Sequence, residues 1–326
     1  MTASPYSLEE MLLFREWMIS TLSTMLMAQN TPVHQFMKEI TKVKPASSDE
    51  QRNLTIALKM RGGTIGQFNA AGTPLGDNYN TAVTAKSNSV FKKEWGGYYS
   101  IARRNKGLLD DIMNILLTKT EDRGYRATGT FQQSTEYDEL KNIIIADFLA
   151  FKESKLKTLI QNGVSATIYG DTVFATSGTT MNFSNLLTST PADSAMIDSI
   201  YKNFHNHKNE RGLRLNYTAP KTVLTTNQNL AEMQKLFNPG SANNLQYQNV
   251  LTNGTGEAGV RIAQMDFDTN ISYIANSAPG IAVQSDTLEP EWYMDFDHFG
   301  NLHIIMSQIF EVQMLYRYGQ ILIQHS

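Results

Sequence analysis

The chain has 326 residues, enough for one large or two smaller domains, and a hydrophobic fraction of 41% that can fill a core. Charged residues make up only 18%, and a net charge of −3 leaves no broad basic field of the kind that grips nucleic acid regardless of sequence. With no cysteine, disulfides, thiolate metal sites, cysteine-ligated iron–sulfur clusters and cysteine nucleophiles are excluded.

Residues 7–28 read as a helix opened by a capping box, Ser7 with Glu10. Leu12, Trp17, Ile19, Leu22, Met25 and Leu26 leave it little polar surface. It must bury itself against its own domain or a neighbouring copy. Glu9, Glu10, Arg15 and Glu16 precede the apolar run Met18–Ala28, so the flank is acidic rather than basic, which argues against a secretory signal. No apolar run approaches the ~18 residues of a membrane span, so a soluble chain is expected. Residues 29–55, with Pro32 and Pro45, read as an arm or linker carrying a short helical piece around His34–Ile40.

Residues 56–100 change character. Gly62-Gly63, Gly66, Gly72, Gly76 and Gly96-Gly97 punctuate them. Thr81–Lys93 leans to extended structure. The stretch reads as a long two-stranded excursion with a glycine-rich tip, and such a hairpin is marginal without partners. Residues 107–120 read as an amphipathic helix.

The longest element runs from Glu136 to Asn162. Leu140, Ile144, Phe148, Phe151 and Leu159 recur at helical spacing. Glu136, Asp138 and Glu139 lead it and Lys152, Lys155 and Lys157 close it, which suits the helix dipole. Gly163 is placed as its C-cap. Beyond it, 164–190 lean to strands and Asp193–His207 to helix. Pro220–Thr226 reads as a buried strand, and Asn227 as the N-cap of a helix over Gln228–Phe237. A polar loop follows at 241–259, with strands at Val260–Phe267 and Ile271–Ile274. His303–Ile323 reads as one long strand broken at Gly319, with Phe310, Val312, Met314, Tyr316 and Tyr318 on one face and Glu311, Gln313 and Arg317 on the other.

Chemical motifs are sparse. Gly254-Thr-Gly-Glu-Ala-Gly259 matches G-x-G-x-x-G. A pyrophosphate cradle needs a strand before and a helix after, whereas polar loop precedes these glycines and strand-like Val260–Met265 follows, so a loop tip is the reading. No Walker A or G-x-S-x-G pattern occurs. His205 and His207 are not at i, i+4 spacing, and Asp295, Asp297, His298 and His303 lack the glycine and distal glutamate of a calcium loop. No catalytic residue, cofactor or metal is expected.

The order of elements carries a resemblance. Leu149–Gly163, the segment from Ala219 through Val223, Asn227 and Met233 to Phe237, and Val312-Gln-Met-Leu-Tyr-Arg-Tyr-Gly319 look like the spine-helix end, axial-domain opening and closing strand of tailed-bacteriophage major capsid proteins. These share the Hong Kong 97-like fold. The resemblance implies an α+β fold, with 1–55 as N-terminal arm and 56–98 as E-loop. Residues 99–217 and 309–326 would be a peripheral domain around a spine helix at 136–162, and 218–308 the axial domain. It implies a shell subunit that assembles with itself as hexamers and pentamers, encloses double-stranded DNA without reading its sequence, and meets portal, scaffolding and decoration proteins. The expected location is the virion capsid, assembled in the host cytoplasm, with no membrane partner. Scaffolding would come from a separate protein.

Candidate inter-subunit contacts are Phe14, Trp17 and Met18 in the arm helix, and Lys86, Lys92, Lys93, Glu94 and Trp95 along the excursion. Some family members cross-link a lysine to an asparagine; no partner asparagine or catalytic glutamate aligns here, and that chemistry is not carried over. A cargo-holding nanocompartment of the same fold is the nearby alternative. An enzyme binding a nucleotide at Gly254–Gly259 is the alternative from another class.

Overall fold

The computed structural model describes residues 20, 23, 24, 26, 31–43, 53–59, 85–91, 93–101, 135–168, 170–178, 183–188, 190–208, 214–215, 220–237, 260–277, 279–296 and 302–326. The fold is mixed α+β. Four helices are named among these residues: α1 (Pro32–Ile40), α2 (Thr135–Asn162), α3 (Ser194–Asn206) and α4 (Asn227–Phe237).

The first large sheet is built on one strand, β13 (Leu302–Met314). Ile304, Met306, Gln308, Phe310, Val312 and Met314 are buried and the intervening residues half-buried, the period of two of a strand with one face on a core. β11 (Ile281–Ser285) and β12 (Glu291–Phe296) follow one another along one edge of β13. β4 (Lys93–Ile101) pairs along the other edge, since Leu302 and Phe310 each have partners on both sides. β1 (Thr41–Val43) adds parallel to β11. The strand β4 runs through Gly96 and Gly97, which sit opposite Ser307 and Met306. The sequence reading took these glycines as punctuation; a paired neighbour along the whole strand overrides their weak strand preference.

The second sheet has the order β7 (Leu186–Leu187), β14 (Gln320–Gln324), β10 (Ile271–Ala275), β8 (Thr222–Thr225), β9 (Arg261–Gln264). β8, α4 and β9 form a parallel crossover unit. Both faces of this sheet are covered, so β8 and β10 are buried at every position. Leu224, Tyr273 and Leu322 point into a core shared with α1 and α2, and Val223, Ile274, Ile321 and Ile323 into one shared with α3 and α4.

α2 is 28 residues long, about 42 Å at ~1.5 Å per residue. Among its described side chains Ile145, Phe148, Leu156 and Ile160 are buried. Of the expected stripe, Phe148 is in the core and Phe151 and Leu159 pack against it, while the side chains of Leu140 and Ile144 lie outside the described ones. Lys152 falls in the middle of the buried face, and none of the three lysines reaches the last turn. Gly163 is no left-handed cap: positive φ is confined, among described glycines, to Gly170 and Gly319. Its reason is packing, because a Cβ there would lie 2.5 Å from Cε2 of the buried Phe174 ring. The helix expected at Gln228–Phe237 begins at Asn227, so that residue lies inside it rather than capping it.

Two further expectations change. The piece at 32–40 is no linker: Val33, Phe36, Met37 and Ile40 are core residues. Thr31 caps it, accepting from the His34 amide, and Pro32 stands where no intrahelical donor is needed. Glu39 on this helix takes Arg261 of β9 in a two-pronged pair, at 3.0 and 2.5 Å. The closing strand ends at Met314, not at Tyr318. Leu315–Gly319 turn, Gly319 takes φ 76°, and β14 starts afresh. Arg317, read as lying on a polar strand face, is buried in consequence, as is Leu315.

Candidate functional site

Three features stand out among the described residues. The first is the excursion. β2 (Asn53–Lys59) pairs antiparallel with β3 (Ala85–Phe91), from Asn53 opposite Phe91 to Lys59 opposite Ala85. Past residue 92 the same chain becomes β4 and changes partner to β13. Lys93, Glu94 and Trp95 are thus register partners of Phe310, Ile309 and Gln308 at the root of the excursion. Lys86 sits opposite Leu58, about 23 Å further along the strand at ~3.3 Å per residue. Lys92, Phe14, Trp17 and Met18 lie outside the described residues, as do the expected helix at 107–120 and the loop Gly254–Gly259. Strand β9 follows that loop, so a helix N-terminus of the kind a pyrophosphate needs does not come next.

The second feature is a cleft of about 380 Å³ between α1, α2 and the turn after β11. Met37, Phe148, Leu149 and Val283 give it apolar walls, Leu26 closes one side, and Leu288, 60% exposed, stands at its rim. Lys152 donates to Gln308 Oε1 at 2.8 Å, and its Nζ lies 4.9 Å and 5.1 Å from the ring centroids of Phe148 and Phe310. Burial, and then the charge of Lys38, lower this amine to about 8. Alongside, His34 Nε2 of α1 lies 3.0 Å from Glu153 of α2, and its Nδ1 lies 2.8 Å from the Thr31 hydroxyl. The sequence reading took Lys152 as one of the lysines that close the helix; its i, i+4 spacing from both Phe148 and Leu156 was the available signal of burial.

The third is a buried polar knot behind the β13–β14 turn. Arg317 pairs with Asp171 at 3.2 Å and donates to the carbonyls of Val173 and Phe183 and to Asn185 Oδ1. Asn185 donates back to the carbonyls of Val173 and Arg317, at 2.7 and 3.0 Å. His207 Nδ1 accepts from the Gly319 amide at 3.1 Å, with its ring against Phe183 and Phe204. Burial, and secondly Arg317, push this imidazole down to about 3, which keeps it neutral. Buried and bonded to the main chain at Val173, Phe183 and Gly319, the knot holds the turn in place. Of the metal-ligand candidates, Asp295 is opposite His303 across β12 and β13; Asp297 and His298 lie outside the described residues.

The described residues thus hold a two-stranded ribbon, an apolar cleft and a body of two five-stranded sheets. In sequence, no protein-family model and no curated protein matches the chain. In structure, it is similar to the virus-like particle from Pyrococcus furiosus, with a TM-score of 0.51 and 10% identity over 95% of this chain and 99% of that one. The chain therefore has a capsid-like fold, the fold that its sequence resemblance led us to expect. Also similar are a phage-related protein from Bordetella bronchiseptica RB50 (TM-score 0.49, 9% identity, 94% and 96% covered) and the capsid of cyanophage P-SCSP1u (TM-score 0.49, 9% identity, 88% and 86% covered). No helix among the described residues is long and apolar enough to cross a membrane.

Proposed function

We propose that this chain is a phage major capsid protein of the Hong Kong 97-like layout. It tiles as hexamers and pentamers into an icosahedral shell around double-stranded DNA and does no enzymatic chemistry. The observation that carries this is the likeness to a virus-like-particle subunit over nearly the full length of both chains. In this layout 1–55 is the arm, 56–98 the E-loop, 136–162 the spine of a peripheral domain (99–217 and 309–326) and 218–308 the axial domain. The ribbon β2–β3 leaves the body at Lys93, where it can lie across a neighbour and gain the buried area that a lone ribbon lacks. Contacts of this head-to-tail kind close into rings when the rotation permits. Lys86, Lys92, Lys93, Glu94 and Trp95 on the ribbon side, and Phe14, Trp17 and Met18 on the arm side, are the proposed contacts. Portal, scaffolding and decoration proteins are its proposed further partners, and a virion assembled in the host cytoplasm its location.

A cargo-holding nanocompartment shell is the second reading, and the likeness to a virus-like particle supports it equally. The deciding experiment is light scattering with negative-stain microscopy on the purified chain, alone and with phage partner proteins. Closed shells are expected, and their contents, DNA or a copurified enzyme, separate the two readings. Deletion of residues 62–80 is expected to leave a folded subunit that forms no shell. A monodisperse monomer under every condition would overturn both readings.

A further inference from the structure

We propose that the cleft between α1 and α2 binds a small amphipathic monocarboxylate, a molecule with the chemistry of a medium-chain fatty acid, with Lys152 as its anchor. The site lies within one chain and goes beyond the shell reading, since it needs no neighbour. Its size is the first observation. About 380 Å³ falls in the range of small-molecule pockets, ~300–1,000 Å³, and Met37, Phe148, Leu149 and Val283 wall it with apolar side chains.

The second observation is an ammonium with donors unused. Lys152 makes one hydrogen bond, to Gln308 Oε1 at 2.8 Å, whereas a lysine Nζ carries three donors. Its other neighbours are the rings of Phe148 and Phe310. Among the described residues no carboxylate pairs with it. The acceptor is itself fixed, because Gln308 Nε2 donates to Ser285 Oγ and to the Thr287 carbonyl at 3.1 and 2.8 Å. Burial, and then the charge of Lys38, already disfavour the protonated form of Lys152. A ligand carboxylate supplies the missing counter-charge, and a charge-assisted bond is stronger in apolar surroundings than in water.

The charge balance selects the class of anion. With His34 against Glu153, the remaining charges of the lining are Lys152, Lys38 and Glu289, one net positive. A single carboxylate balances them, whereas a phosphate dianion leaves negative charge in excess beside Glu289. The apolar walls then take an alkyl chain.

Calorimetric titration of octanoate and of 1-octanol into the full-length chain tests the site. One octanoate per chain is expected, bound at least about tenfold more tightly than octanol, the margin of one hydrogen bond to a charged group. Lys152→Met keeps the stem and loses the ammonium. It is expected to weaken octanoate at least about tenfold and to leave octanol unchanged. The octanoate–octanol comparison on the parent chain decides the point independently of that variant's stability. Lys235→Met, which removes an exposed lysine of α4, is expected to change neither. The absence of saturable octanoate binding overturns the site. Equal affinities for octanoate and octanol overturn the carboxylate, and an unchanged octanoate affinity in Lys152→Met overturns the anchor. Binding to the unassembled chain that is lost in assembled material gives the cleft to a segment of a neighbouring copy and overturns the small-molecule occupant.

Discussion

Arg317 Nη1 and Asp171 Oδ2 lie 3.2 Å apart with both side chains withdrawn from water, joining the β13–β14 turn to the first residue of β6 (Asp171–Thr172). Nε donates to the Val173 carbonyl, and Nη2 reaches the carbonyls of Ser177 and Phe183 and Asn185 Oδ1, so the rigid guanidinium fork is held by fixed acceptors around it. Arg317→Met leaves the Asp171 carboxylate buried without its guanidinium. A loss of about 3–5 kcal/mol in urea-unfolding free energy is expected, the usual result of removing one partner of a buried pair. Arg317→Lys is expected to recover little of it, because an ammonium cannot reach the same acceptors.

His207 makes the fold acid-sensitive. Its folded pKa, about 3, is below its ordinary 6.5, so the unfolded chain takes up the proton first. The stability it contributes is complete above about pH 6.5 and drains away as the pH falls toward 3. His207→Asn keeps an acceptor for the Gly319 amide but does not titrate. Between pH 6.5 and 4 the urea midpoint of the variant is expected to fall less steeply than that of the parent, while shared carboxylate effects cancel in the comparison.

Lys152 acts at the other end of the scale. Its amine titrates near 8 in the fold against 10.5 ordinarily, so between those values the unfolded chain holds a proton that the folded one has released. Stability is expected to rise with pH across that window, by about 3 kcal/mol at most. Lys152→Met should flatten this rise. Denaturation series at pH 8, 9 and 10 on both proteins measure the difference.

Gly280 and Gly163 are held by packing rather than by backbone conformation. A Cβ on Gly280 would run into the carbonyl oxygen of Tyr316 and lie 2.8 Å from Gln320 Nε2, whereas one on Gly163 meets only the Phe174 ring edge and the Ile160 carbonyl at 3.1 Å. The Gly280 carbonyl also accepts from the amides of Leu315 and Tyr316, at 2.6 and 3.2 Å, so the backbone there cannot retreat. Gly280→Ala is expected to cost more than Gly163→Ala, and the latter about 1–3 kcal/mol. Thermal unfolding of the two variants gives the order directly.

The strongly periodic elements were legible from sequence. α2 runs Thr135–Asn162 against an expected 136–162, α3 runs Ser194–Asn206 within the expected Asp193–His207 with Asp193 as its cap, and Thr222–Thr225 forms the buried strand read at 220–226. These are segments whose local pattern and tertiary burial agree. Of the candidate contacts, the register places Lys93, Glu94 and Trp95 beside β13 of the same chain, a pairing between distant segments that no local pattern records.

The misread positions share a cause. Arg317 follows the alternation of a polar strand face, yet the strand stops at Met314 and a turn folds the side chain inward onto Asp171, 146 positions earlier. Lys152 carries a charge that local rules assign to solvent, yet Phe310 and Gln308 arrive from β13 to enclose it. Gly163 reads as a cap because glycine usually ends a helix by left-handed φ; here Phe174 excludes a side chain instead.

By itself, then, the order of residues determined where helices and strands form, because burial on one face imposes a period on each segment. It also set the kind of chain this is, with no cysteine and no basic field. Only the tertiary structure decided which polar groups are buried, where the closing strand breaks and how the ribbon changes partner at its root. Those outcomes depend on contacts between residues a hundred or more positions apart, and no local period records them.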